Sequence, residues 1–232
     1  MTTNKTKSKN MEILNKKDKI NVEAMKSKLL RGKTTRQRFK LPMTEEQATD
    51  LLTASYMAEV EYRRRKYESN AETENNISRL ARILTSDNAK FGIMFCGVCG
   101  NGKTTLLYAL QTAILEIDKY GGFEDKGTGI SIVDAKEVAQ YARDYKSFRE
   151  LRNRPMLAIE DIGREPTEML DYGNVLNPII DLIEYRYNNQ LFTAITTNLT
   201  SEQISTKYGR RIADRFNEML EVIIFKNPSY RK

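Results

Sequence analysis

The chain has 232 residues, 38 of them Lys or Arg and 31 Asp or Glu, for a formal net charge of +7, with no histidine and no tryptophan. The absence of histidine removes imidazole catalysis, and two cysteines, Cys96 and Cys99, are too few to close a four-ligand zinc site. No apolar run approaches the ~20 residues of a membrane helix, and scarce cysteine with no secretory leader leads us to expect a cytoplasmic protein without membrane attachment.

The charge is uneven. Residues 1–40 hold thirteen basic and three acidic residues, so the basic excess is an N-terminal arm. Such an arm suits nucleic acid or an acidic protein face, and it equally suits a solubilising tail. Residues 1–19 are polar and lysine-rich, and disorder is expected there. Residues 20–30 predict a short helix through Val22, Met25, Leu29 and Leu30. Residues 31–40 are basic with one aromatic, Phe39, which is thin interleaving for a stacking surface. Thr44-Glu-Glu-Gln47 has the capping-box form, and Leu51, Leu52, Tyr56 and Val60 follow on one helical face. That helix ends at Arg63-Arg64-Arg65-Lys66, charges that either complement the helix C-terminus in solvent or meet nucleic acid. Residues 67–75 read as an uncapped polar linker, and Ile77, Leu80, Ala81, Ile83 and Leu84 as a further amphipathic helix. We therefore divide the chain into a basic, largely disordered arm (1–43), a helical N-terminal region with its linker (44–74) and a main domain (75–232).

Residues 97–104 read Gly-Val-Cys-Gly-Asn-Gly-Lys-Thr, the G-x-x-x-x-G-K-T pattern of a phosphate-binding loop. Gly97 and Gly102 let the backbone curl until its N–H groups face an anion. Lys103 supplies charge for the β and γ phosphates, and the Thr104 hydroxyl can ligate Mg²⁺. An apolar run at 91–96 suits a buried strand, and 104–116 carries a helical pattern, so the phosphates would meet a helix N-terminus. Residues 97–105 (Gly97, Val98, Cys99, Gly100, Asn101, Gly102, Lys103, Thr104 and Thr105) are the expected ATP-binding set. Cys96 and Cys99 are read as packing residues.

Further strands are expected at 129–133, 156–159, 191–197 and 222–225. Helices are expected after Asp134, over 172–187, and over 201–218 in two pieces parted near Gly209. Strands alternating with helices predict an α/β protein, a parallel sheet with helices on both faces. The third strand ends in Glu160-Asp161. An acidic pair after a strand downstream of such a loop is the Walker B arrangement, with Glu160 toward Mg²⁺ and Asp161 toward the attacking water. Asn198 closes the next strand, where its side chain would reach the γ-phosphate. Gly209-Arg-Arg-Ile-Ala-Asp-Arg-Phe216 concentrates three arginines on one short helix, and an arginine given to a neighbouring subunit's γ-phosphate stabilises transition-state charge.

This order of motifs resembles the AAA+ helicase-loader family of DnaC and DnaI, with the related IstB transposition helper ATPases. The matching segments are 97–105, 157–163, 196–200, 209–216 and the closing Phe225-Lys-Asn-Pro-Ser-Tyr-Arg231; Asn177-Pro178 through Ile183 with Arg186-Tyr187 also matches. The resemblance covers about residues 75–232. It implies a P-loop AAA+ ATPase using ATP and Mg²⁺, with Asn198 as sensor 1. It implies Arg215 as an arginine finger in trans, ahead of Arg211, and hence self-association. It implies single-stranded DNA as a partner and a replicative helicase bound through residues 1–70. No small helical C-terminal lid is expected after Arg231, as in this clade. Two departures stand out. The family's usual first Walker B residue is Asp, whereas here Glu precedes Asp, which predicts slow hydrolysis stimulated by DNA or a partner. The N-terminal region also lacks the Cys/His zinc set of some loaders. The alternatives are an IstB-like helper that binds duplex DNA and recruits a transposase, a small-molecule kinase, and an ATP-binding switch with little turnover.

Overall fold

The computed structural model describes residues 21–32, 38–87, 89–166, 169–171 and 174–230. The disorder expected over 1–19, residues 33–37 of the basic run at 31–40 and the match at Arg231 fall outside these. The chain divides into two units, residues 1–37 and 38–232. In the first, helix α1 (Val22–Gly32) forms where the sequence predicts it, and the Asn21 side chain accepts from the Ala24 N–H at 2.9 Å.

The second unit opens with α2 (Glu45–Tyr62). Its capping box is complete, with Thr44 accepting from the Gln47 N–H and Gln47 accepting in return from Thr44. The run at 67–75 is not an uncapped linker. Asn70 accepts from the N–H groups of Glu72 and Thr73 and starts α3 (Ala71–Thr85) there. Then follow β1 (Gly92–Gly97), α4 (Lys103–Lys119), β2 (Ser131–Asp134), α5 (Ala135–Tyr141), α6 (Tyr145–Asn153) and β3 (Met156–Ile162). Two short antiparallel strands follow, β4 (Met169–Asp171) and β5 (Asn174–Leu176), and β5 occupies the first part of the helix expected over 172–187. The helix itself, α7 (Pro178–Asn188), waits for Pro178, whose missing N–H and fixed φ suit the first turn, with Asn177 as cap. The chain closes with β6 (Phe192–Thr197), α8 (Ser201–Tyr208), α9 (Arg210–Met219) and β7 (Leu220–Phe225).

Five strands form one sheet, β2-β3-β6-β1-β7, and every pairing is parallel. This is the α/β P-loop fold expected from sequence. Successive strand residues face opposite sides. Ile93 and Phe95 of β1 join a core with α2, α3 and α4, through Leu52, Leu80 and Leu110. Met94 joins a second core with α5–α9, through Leu182, Ile204 and Phe216.

The expected division at residue 74 is not where the packing divides. Leu41, Leu52 and Tyr56 are buried in the same core as the α4 residues Leu106 and Leu110. At ~1.5–3 kcal/mol per large apolar side chain they contribute on the order of 5–9 kcal/mol, against the ~5–15 kcal/mol that holds a domain folded. Deleting residues 1–37 is expected to leave one cooperative thermal transition by circular dichroism. Deleting 1–74 is expected to abolish it.

Candidate functional site

The loop from β1 to α4 takes its shape from glycine. Gly97, Gly100 and Gly102 have φ of +150°, +83° and +100°. A Cβ on Gly97 would lie 2.6 Å from the Phe225 carbonyl, and one on Gly102 would lie 2.8 Å from the Tyr56 hydroxyl. Gly102 caps α4 without a side chain, so the first N–H groups of that helix have no side-chain cap and suit an anion. Lys103 is 5% exposed. Its ammonium donates to Gly97 O and Val98 O at 2.7 Å each and to Asn101 Oδ1 at 3.1 Å. Asn101, buried, donates its Nδ2 to Phe225 O, and the Tyr230 N–H donates to Gly100 O at 2.9 Å. The run after β7 therefore straps the loop from behind. Tyr230 in turn hydrogen-bonds Thr73 of α3 and Asn227 through its hydroxyl.

The acidic pair lies on a strand that is longer than its apolar run predicts. Its register against β6 shifts between Ile159 and Ile162, a bulge that spans Glu160 and Asp161. In a regular strand the two would face opposite sides. Asp161 has φ +53°, unusual for a residue with a side chain, and its N–H donates to Thr196 Oγ1 of β6 at 2.9 Å. Glu160 accepts from the Tyr108 hydroxyl at 3.1 Å and is hydrogen-bonded by Thr104. Burial pushes its carboxyl above the usual glutamate value, and the Thr104 and Tyr108 hydrogen bonds oppose that. Thr104 and Glu160 are hard oxygen donors side by side, a set that fits Mg²⁺. Asp161 pairs with Arg164 at 2.5 Å.

A cavity of about 740 Å³ joins these pieces, a size suited to a nucleotide. Cys99, Gly100, Gly102, Lys103, Thr104 and Thr105 line it from the loop. Asp161 and Asn198 line it from the ends of β3 and β6, so the structure places Asn198 in the cavity that Lys103 also lines. Val98 is 59% exposed and contributes its carbonyl to Lys103. Cys96 lies beneath the loop, and burial pushes its thiol up to about 11, against the pull of Lys103, which makes it a poor nucleophile.

Arg215 is not at this cavity. It is 11% exposed, ion-paired with Glu184 of α7, and stacked 5.1 Å over the Tyr187 ring. Arg211 reaches the same Glu184 oxygen at 3.2 Å and is 73% exposed. Three contributors escape the motif reading. Tyr108 stands one helical turn after Thr104, a spacing that places both on one face. Thr196 holds the Asp161 backbone, and Arg164 holds its side chain.

The loop after β3 is clamped to α8. Lys207 donates to the carbonyls of Gly163 and Glu165, and the buried Glu165 carboxylate takes the Gly163 N–H at 2.8 Å and the Tyr208 hydroxyl.

No family model matches the chain, and no curated protein does. Solved structures do. The DnaC helicase loader is 24% identical with a TM-score of 0.53, over 69% of this chain and 93% of that one. DnaI is 19% identical with a TM-score of 0.54, over 71% of this chain and 88% of that one. Domain III of the replication initiation protein DnaA from Thermotoga maritima is 12% identical with a TM-score of 0.51, over 70% and 65%. The chain shares their α/β fold. Among the described residues no helix is long and apolar enough to cross a membrane.

Replacing Tyr208 by Phe leaves a Glu165 oxygen without one of its donors in a buried site. We expect a loss of about 1–3 kcal/mol in denaturant unfolding.

Proposed function

We propose that this chain is a DnaC-like AAA+ ATPase that binds ATP with Mg²⁺, hydrolyses it slowly, and loads a replicative helicase onto single-stranded DNA. One observation carries the reading. Lys103, Thr104, Asp161 and Asn198 line one cavity, with Glu160 hydrogen-bonded to Thr104, in a fold shared with the DnaC helicase loader.

In this reading residues 97–105 hold the phosphates by backbone N–H groups, and Lys103 exchanges its loop carbonyls for β- and γ-phosphate oxygens. Thr104 and Glu160 would hold Mg²⁺, which supplies charge neutralisation across those oxygens. Asp161 orients the attacking water, and Asn198 reaches the γ-phosphate from β6. Arg215 is the arginine that acts in trans on a neighbouring copy. To do so it must leave Glu184, and Arg211 on the same oxygen can hold that carboxylate in its place. Residues 1–70 are assigned to the helicase, although their helix α2 also belongs to the ATPase core. Two features favour slow turnover. Glu160 and Asp161 invert the family's usual side-chain lengths, and Arg164 holds the Asp161 carboxylate. Misplacement by an ångström costs on the order of a hundredfold in rate.

Phosphate release with and without single-stranded DNA tests this. Slow turnover that DNA accelerates is expected, and Lys103→Ala should abolish it. Asp161→Glu should raise turnover, by up to ~100-fold; unchanged or lower turnover would refute the geometric account of slowness.

A further inference from the structure

The basic turn after α2 is where sequence leaves two readings open, a solvated helix end or a nucleic-acid contact. Its position in the fold favours neither. Arg63, Arg65 and Lys66 line the same cavity as Lys103 and Thr104. Building on the ATP-binding reading above, we propose that Arg65 and Lys66 bind the nucleotide's polyphosphate, as a cationic wall supplied by α2 rather than by the phosphate-binding loop.

The turn is built to present these side chains. The Arg64 N–H donates to Glu61 O at 2.7 Å and the Arg65 N–H to Val60 O at 3.2 Å. That is the paired bonding of a Schellman helix end, with Arg64 in the position where glycine is usual. Arg64 has φ +55°. The chain therefore accepts a strained conformation in order to turn sharply here, and strain of this kind concentrates at binding sites. Arg64 itself does not line the cavity, whereas the residues on either side do.

The turn is also fixed to the helix that carries the phosphate-binding lysine. Glu59 accepts from Thr112 of α4 at 3.3 Å and lies 3.9 Å from Arg63. The Arg63 guanidinium sits 5.5 Å over the Tyr108 ring, whose hydroxyl holds Glu160. Arg65 and Lys66 thus keep a set position relative to the loop.

The charge balance identifies the ligand class. Five cationic side chains line the cavity (Arg63, Arg65, Lys66, Lys103 and Arg164) against two anionic ones, Glu68 and Asp161. Arg164 is paired with Asp161 and Arg63 with Glu59. Among the described residues, neither Arg65 nor Lys66 has a side-chain hydrogen bond or an ion pair. A triphosphate carries more charge than one lysine and one divalent cation neutralise, and charges converging in a concave site act more strongly than on an open surface. A strand of nucleic acid would instead call for a charged groove that runs on along its backbone, with aromatic faces on which successive bases stack.

The test uses the full chain and fluorescent analogues of ATP, ADP and AMP. It compares the wild type, the double variant Arg65→Ala/Lys66→Ala, and Arg64→Gly, which removes a charge from the same run and suits the positive φ. Thermal melting checks that each is folded. The double variant is expected to bind ATP about 10–100-fold more weakly, ADP less so, and AMP unchanged, while Arg64→Gly binds like the wild type. Unchanged ATP affinity in the double variant would overturn the proposal. An equal loss in Arg64→Gly would also overturn it, by reducing the effect to general charge. Weakened single-stranded DNA binding with intact ATP binding would reassign the turn to nucleic acid. A wild type that binds no ATP would refute the parent reading, a result separate from failure of the variants.

Discussion

A buried ammonium must be met by oxygen, and Lys103 is met by three: two carbonyls of its own loop and the Asn101 side chain. The rest of the site depends on that arrangement. For the carbonyls to turn inward the loop must pass through positive φ at Gly97, Gly100 and Gly102. For Asn101 to be fixed it must reach the Phe225 carbonyl at the end of β7. Tyr230 then ties Gly100 to α3 through Thr73. The loop is thus braced by segments more than a hundred residues apart in the chain, and the candidate site and the fold share one set of contacts.

The carboxylate side of the cavity is solved differently. The bulge in β3 and the left-handed Asp161 let two consecutive side chains serve one site. Tyr108 and Thr104 hold Glu160, Arg164 holds Asp161, and Lys207 and Tyr208 anchor the loop that follows. This last clamp leads through α8 to Gly209 and the arginines of α9. A physical connection therefore runs from the acidic pair to the helix assigned to contact a neighbouring copy.

The shape of the loop at 97–104 was legible because it is written in backbone requirements, glycines at fixed spacing. The strands were legible as continuous apolar runs, since a parallel sheet is buried on both faces. What failed was whatever depended on distant partners. Residues 67–75 look like a linker because they are polar, yet Thr73 is buried against Tyr230, more than 150 residues away. Helix α6 was missed because its one buried residue is Leu151. The arginines of α9 were visible, but Glu184, which holds two of them, lies on another helix with no pattern to mark it. The turn at residues 63–66 could not be assigned because only the packing of α2 on α4 brings it to the cavity.

The most direct test of the loader reading uses covalently closed circles of single-stranded DNA, onto which a ring-shaped helicase cannot thread by an end. The replicative helicase from the same cell would be mixed with such circles, with and without this protein and ATP, and its retention on the circles measured. The reading predicts retention only when both are present, and its loss with the Lys103→Ala variant. Equal retention with and without the protein, or preferential association with duplex DNA and a transposase, would contradict it.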